Sequence, residues 1–120
     1  MKNRPFWHRL GFALAGFSAA LKRERSFRTQ VVIGLCAFAV LAFLRPAAVW
    51  WALCILSAGA VLTAELINTS LEETLDRLHP QQHPSVQIAK DCAAAAVLCA
   101  SIAATCIGVL TVLVTIGVIG

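Results

Sequence analysis

The chain alternates between one amphipathic stretch and three long apolar ones. Phe6, Leu10, Leu14, Phe17 and Leu21 fall within roughly 80° of arc at helical periodicity, which predicts a surface helix over residues 5–25 lying in the headgroup plane. An apolar run follows, predicting a first membrane span over 29–44, short enough to need its polar N-terminal flank. Arg45-Pro46 marks a tight turn. The second span is predicted over 49–70, with Trp50 and Trp51 suited to the interfacial aromatic belt. A polar segment over 71–91 reads as a loop. The third span, over 92–119, is alanine-rich at its start and β-branched towards its end.

Composition supports this division. Of 120 residues, 59% are hydrophobic and 13% charged, with a mean hydropathy of +0.80. A soluble domain this small has too much surface for its volume to bury so much apolar area. The fold class is therefore an all-α membrane protein in a single domain, residues 1–120. Lys2, Arg4, Arg9, Lys22, Arg23, Arg25 and Arg28 precede the first span, Arg77 and Lys90 lie between the second and third, and Arg45 alone lies opposite. Nine of ten basic residues thus share one side, which the positive-inside rule assigns to the cytoplasm together with the N-terminus and the 71–91 segment. The net charge of +4 needs no nucleic-acid partner, since basic residues beside a bilayer meet anionic headgroups. No signal peptide is expected, because Arg9 interrupts the early apolar stretch and no convincing cleavage site follows.

Candidate chemistry collects at the end of the second span. Glu65, Asn68, Glu72 and Asp76 follow an uncharged run, and offsets of 3, 7 and 11 place them within roughly 80° on one helical stripe. Ionisable groups beside hydrocarbon are costly and usually functional. Three carboxylates and an amide on one face suggest a site for cations and for something the cations carry. Glu24 lies in the basic stretch before the first span, and Lys90-Asp91 opens the third. Asp91 suits a helix N-terminus, whereas Lys90 gains nothing there and asks for an anion, carboxylate or phosphate.

Three function classes compete. Phosphoryl transfer needs metal between carboxylates and phosphates, a basic group on the phosphates, and a residue to deprotonate the nucleophile. In that reading Glu24 and Glu72 hold the metal, Lys90 holds the phosphates, and Glu65, deepest in the membrane, takes the proton of a lipid hydroxyl. A small proton-coupled transporter also uses intramembrane acids, but gives no reason for Glu24, Lys90 and Asp91 to accompany the stripe. A structural subunit with a solvated helix end accounts for Glu73 and tolerably for Glu72 or Asp76, and poorly for Glu65-x-x-Asn68. No Walker glycine loop or protein-kinase motif is present. The five cysteines contain no C-x-x-C pair, and Cys92, Cys99 and Cys106 recur every seven residues, as small residues at a helix contact do. His79 and His83 share an i, i+4 spacing, but Pro80 and Pro84 interrupt any helix that would pair them on zinc.

The stretch Ala64-Glu65-Leu66-Ile67-Asn68-Thr69-Ser70-Leu71-Glu72-Glu73-Thr74-Leu75-Asp76-Arg77 resembles the E-[IL]-[IL]-N-[ST]-x-[IL]-E-x-x-x-D signature of the bacterial membrane diacylglycerol kinases. Ala89-Lys90-Asp91 is similar to that family's A-K-D element, and Glu24-Arg25-Ser26-Phe27-Arg28 to its E-x-x-F-R element. The resemblance covers nearly the whole chain. It implies a homotrimer of three-span subunits with an amphipathic surface helix and sites at the cytoplasmic boundary of the bacterial inner membrane. It further implies ATP as phosphoryl donor, Mg2+ as cofactor, Glu65 as proton acceptor, and Glu24 and Glu72 as metal and nucleotide ligands. Asn68 and Asp76 become supporting polar groups. Gln81, Gln82, His83, Lys90 and Asp91 become nucleotide contacts, and Phe27 and Arg28 join Glu65 on the lipid side. Diacylglycerol is the first acceptor implied and undecaprenol the alternative, since both offer a primary hydroxyl at headgroup level.

Overall fold

The computed structural model describes residues 3–120; Lys2, one of the charges assigned to the cytoplasmic side, lies outside them. Four helices follow in order: α1 Phe6–Arg23, α2 Arg25–Leu44, α3 Ala48–Leu78 and α4 Pro84–Thr115. The last three are long and apolar enough to cross a membrane.

One residue separates α1 from α2. Glu24 adopts φ −107° and ψ 109°, and this single extended residue lets α2 leave α1 in a new direction. No proline or glycine forces the break. It falls where a one-sided apolar pattern gives way to one that is apolar all round, so the two helices want different directions relative to a bilayer. The Arg28 guanidinium closes the corner, its Nη1 donating to the carbonyls of Leu21 at 3.0 Å and Lys22 at 2.9 Å, which the end of α1 leaves without helical partners. Phe27, fully buried, packs edge-on against Phe17 with ring centroids 5.0 Å apart. Phe6, Leu10, Leu14 and Phe17 stay exposed, as an amphipathic helix meeting acyl chains requires, while Leu21 is half-buried.

The turn after α2 is tight. Arg45 is left-handed at φ 56° and its N–H donates to Leu41 O at 2.8 Å, ending the helix just before Pro46. From there α3 returns and packs most extensively on α4. At 1.5 Å per residue, the 31 residues of α3 run about 46 Å, against a hydrocarbon core of about 30 Å. Roughly ten residues of α3 therefore project beyond the span, and α4 has a matching excess.

This corrects the segment expected as a loop over 71–91. The chain between Thr69 and Leu78 holds no helix breaker, so α3 continues to Leu78, and Thr74 Oγ1 bonds back to Ser70 O at 2.7 Å. Only residues 79–83 connect it to α4, which restarts with Pro84 at its first turn, where a missing N–H costs nothing. The other limits move less: α1 ends at Arg23, α2 begins at Arg25 rather than 29, α4 ends at Thr115 rather than 119.

Among the described residues few are buried: Ala20, Phe27, Leu41, Pro46, Cys54, Val61, Glu65 and Thr111. Lipid tails are as apolar as leucine, so a membrane chain need not hide such residues, and polar contacts do part of the joining. Gln30 Nε2 donates to Ser101 Oγ at 3.1 Å, tying α2 to α4, and Cys54 Sγ lies 3.5 Å from Thr111 Oγ1, tying α3 to α4. Cys92, Cys99 and Cys106 face outward instead of into a contact between this chain's own helices.

Candidate active site

The stripe on α3 meets a different neighbour at each level. Glu65 is only 2% exposed, and its Oε1 accepts from Ser26 Oγ at 2.8 Å. Ser26 lies in the first turn of α2, so the carboxylate sits beside a helix N-terminus, where partial positive charge favours an anion. One turn further along α3, Asn68 Nδ2 donates to Glu72 Oε1 at 3.2 Å. At the projecting end, Lys90 of α4 pairs with Asp76 of α3. The lysine thus has a carboxylate partner within the chain, and the pair staples the two helices where they leave the span. Asp91, about 100° further round α4, accepts instead from Gln87 Nε2 at 2.9 Å. Lys90 and Asp91 therefore point to different neighbours.

Glu24 stands on an adjacent side. It lines a groove of about 430 Å³ with Phe17, Arg23, Thr69, Ser70 and Glu73. Glu73, which the sequence assigns to a solvated helix end, accepts from Arg23 Nη2 at 2.9 Å and fastens α1 to α3. The α3 residues of this groove centre roughly 110° round the helix from the stripe. Glu24 and Glu72 are brought to neighbouring faces of α3, and among the described residues no three His, Cys, Asp or Glu side chains gather at one point.

The donor set nevertheless suits Mg2+. The ion prefers hard oxygen ligands and is commonly held by one or two carboxylates, with substrate phosphates and waters completing the octahedron. Beside Glu72, Asn68 Oδ1 is buried with no hydrogen-bond partner, an acceptor oxygen left over once its amide nitrogen has been used. A buried unsatisfied carbonyl is costly, and a cation is one means of satisfying it.

The connecting residues hold themselves in place. His83 Nδ1 accepts from the Ser85 N–H at 3.1 Å and caps α4, and His79 Nδ1 lies 3.2 Å from Gln81 O. The two rings are 5.8 Å apart, edge to face. Gln81, Gln82 and His83 are exposed at the same end of the molecule as Asp76 and Lys90. Phe27 and Arg28, expected on the lipid side, are engaged at the α1–α2 corner, Phe27 fully enclosed and Arg28 bonded to the carbonyls of Leu21 and Lys22. A second, apolar groove of about 640 Å³ runs along Ile55, Gly59, Thr63 and Ile67 of α3 to Asn68, with Ala93 and Ala96 of α4 opposite.

Two further residues belong to this arrangement: Ser26 and Glu73. Ser26 sits inside the quoted E-R-S-F-R element but carries no signal of its own, since its contact with Glu65 spans 39 positions.

A membrane bundle with a carboxylate, amide and lysine column at one end of its longest helices is the class these elements define. The sequence model of the prokaryotic diacylglycerol kinases matches residues 11–112, and the chain belongs to that family. It is 39% identical over 98 residues to a diacylglycerol kinase of Synechocystis sp., a stretch covering 81% of this chain and 56% of that relative. A diacylglycerol kinase of Pseudomonas aeruginosa is 36% identical over 86 residues, 72% of this chain and 70% of its own. An undecaprenol kinase of Bacillus subtilis is 31% identical over 96 residues, covering 79% and 77%. The chain therefore spans little more than half the length of the first relative and most of the other two. With its three apolar spans, it is a bacterial membrane protein, and the transporter reading finds no support among these relatives.

Proposed function

We propose that this chain is an ATP-dependent lipid kinase that transfers the γ-phosphoryl group of ATP to the hydroxyl of a membrane lipid, diacylglycerol first. The observation that carries the reading is Glu65: a buried carboxylate at the membrane end of a helical column that terminates, 11 residues later, in an acid–lysine pair outside the span. Such a column joins a place for a lipid hydroxyl to a place for a triphosphate.

In this mechanism Glu65 accepts the proton of the lipid hydroxyl as the oxygen attacks. General-base assistance of this kind contributes about 10²- to 10⁴-fold. Lys90 turns from Asp76 towards phosphate oxygens, and Gln81, Gln82 and His83 border the nucleotide. Asp91 and Asp76 hold the polar end in register. Glu72 and Asn68 Oδ1 are the stripe's oxygen donors that would hold Mg2+, with Glu24 the further carboxylate on the neighbouring face; the ion would offset the negative charge of the phosphates. The α1 helix keeps the acceptor at headgroup depth and carries Glu24 at its end.

A homotrimer in the cytoplasmic membrane, with the N-terminus and site on the cytoplasmic face, accompanies this proposal. Nine of ten basic residues on one side support the orientation. The open apolar groove lined by Gly59, Ala60, Ala64, Ala93 and Ala96 supports self-association, because small residues let membrane helices approach closely. Undecaprenol is the second acceptor, favoured by the Bacillus subtilis relative. Purified protein in mixed micelles with Mg2+ and radiolabelled ATP, offered diacylglycerol and undecaprenol side by side, tests the reading. Label in phosphatidic acid supports the first acceptor and label in undecaprenyl phosphate the second. Label in neither lipid refutes the kinase.

A further inference from the structure

We propose that Ser26 is a catalytic residue: the hydroxyl through which the acceptor's proton reaches Glu65. The inference deepens the kinase reading and rests on Glu65 being the proton acceptor.

Three observations carry it. Glu65 is enclosed, 2% exposed, so a lipid hydroxyl arriving at headgroup level meets little of its carboxylate. Ser26 is exposed, and its Oγ is the hydrogen-bonding partner of that carboxylate at 2.8 Å. The polarity of the bond also fits. A serine hydroxyl has one proton to give and two lone pairs with which to accept. The proton is spent on Glu65, so what Ser26 offers outward is an acceptor, and an alcohol about to lose its proton must donate. Ser26 further lies two positions after Glu24, which brings the relay to the side of the molecule where a metal-bound phosphate would arrive.

The step balances as follows. The acceptor oxygen forms its bond to the γ-phosphorus while the bond from that phosphorus to the β,γ-bridging oxygen breaks, and ADP leaves with the electron pair. The acceptor's proton moves to Ser26 Oγ as the proton already on Ser26 moves to Glu65 Oε1. Ser26 ends as it began, a neutral hydroxyl, and Glu65 ends protonated, to be discharged to water once the phospholipid has left.

The experiment compares Ser26→Ala, Ser26→Thr and Glu65→Gln with wild type in mixed micelles, each first shown by circular dichroism and gel filtration to retain the wild-type fold. Ser26→Ala is expected to lower kcat by about 10- to 100-fold, the scale of a lost proton-transfer group, with KM for ATP within about twofold of wild type. Ser26→Thr, which keeps the hydroxyl, restores kcat to within about threefold of wild type by the same reasoning. Wild-type kcat in mixed H2O and D2O is expected to follow a curved dependence, because two protons move together, and Ser26→Ala a linear one. Wild-type kcat in Ser26→Ala overturns the relay. So does a loss that threonine does not restore, or a linear or flat isotope dependence in the wild type. Glu65→Gln separates the two levels of the argument: if it stays active, the proton-acceptor reading falls and the relay with it. If it is inactive while Ser26→Ala is not, the relay alone falls.

Discussion

Replacing Glu65 with glutamine changes almost nothing except the ability to take a proton. The amide has the same length and volume, and its oxygen still accepts from Ser26 Oγ. What weakens is the character of that bond. A hydrogen bond to a charged group contributes about 1.5–3 kcal/mol and a neutral one about 0.5–1.5, so the variant loses about 1 kcal/mol from this contact. Part of that returns, because an uncharged side chain is cheaper to enclose beside hydrocarbon. Stability should therefore move by less than about 1 kcal/mol. Turnover should not be so tolerant. Loss of a general base corresponds to about 10²- to 10⁴-fold in kcat, or about 3–5 kcal/mol of transition-state stabilisation at 1.36 kcal/mol per decade. KM for ATP should stay near wild type, since the groups proposed to border the nucleotide lie at the other end of the column. The assay is steady-state kinetics in mixed micelles with saturating lipid, paired with unfolding in a denaturing detergent. Near wild-type kcat in a folded Glu65→Gln protein would refute the role of this carboxylate. A large loss of stability would refute the account of its surroundings.

Other positions give contrasting outcomes. Phe27→Ala should cost about 3–5 kcal/mol in unfolding experiments by emptying the enclosed space against Phe17, whereas Phe27→Leu should cost far less. A double-mutant cycle on Arg23 and Glu73 should give a coupling below about 1 kcal/mol that fades with salt, because both ends are well exposed. Lys90→Met should raise KM for ATP by about tenfold, the scale of one charge-assisted contact, with thermal stability little altered. Chelation of divalent cations should abolish lipid phosphorylation, and returning Mg2+ should restore it. Asn68→Ala, which removes the unpartnered carbonyl, should raise the Mg2+ concentration needed for half-maximal rate.

The parts of the molecule that the sequence discloses are those governed by one helix at a time. A period of 3.6 suffices to line up Glu65, Asn68, Glu72 and Asp76, and the absence of charge over 49–64 suffices to call a span. Helix limits are harder, because hydropathy reports where a bilayer ends and says nothing of where a helix ends. Residues 69–78 are polar yet fully competent to be helical, and only the prolines at 80 and 84 mark the real connection. Contacts between helices are harder still. Nothing in a run of arginines tells which of them, Arg23 or Arg28, reaches Glu73 and which closes the end of α1. Lys90 asks for an anion from its position alone, but that the anion is Asp76 follows only from the antiparallel pairing of α3 with α4.

The unbroken passage of α3 from the apolar zone into water has a consequence for selection among acceptors. Glu65 and Asp76 are fixed about 16 Å apart along a rigid axis, with no hinge between them to take up error. In the proposed kinase the column would therefore measure depth: it would reward an alcohol that floats at one height above the acyl chains and be indifferent to the tail beneath it. A glycerolipid and a polyprenol can satisfy the same gauge. Thinning or thickening the surrounding bilayer shifts where the gauge starts, so the host membrane itself becomes a determinant of which hydroxyl is in reach.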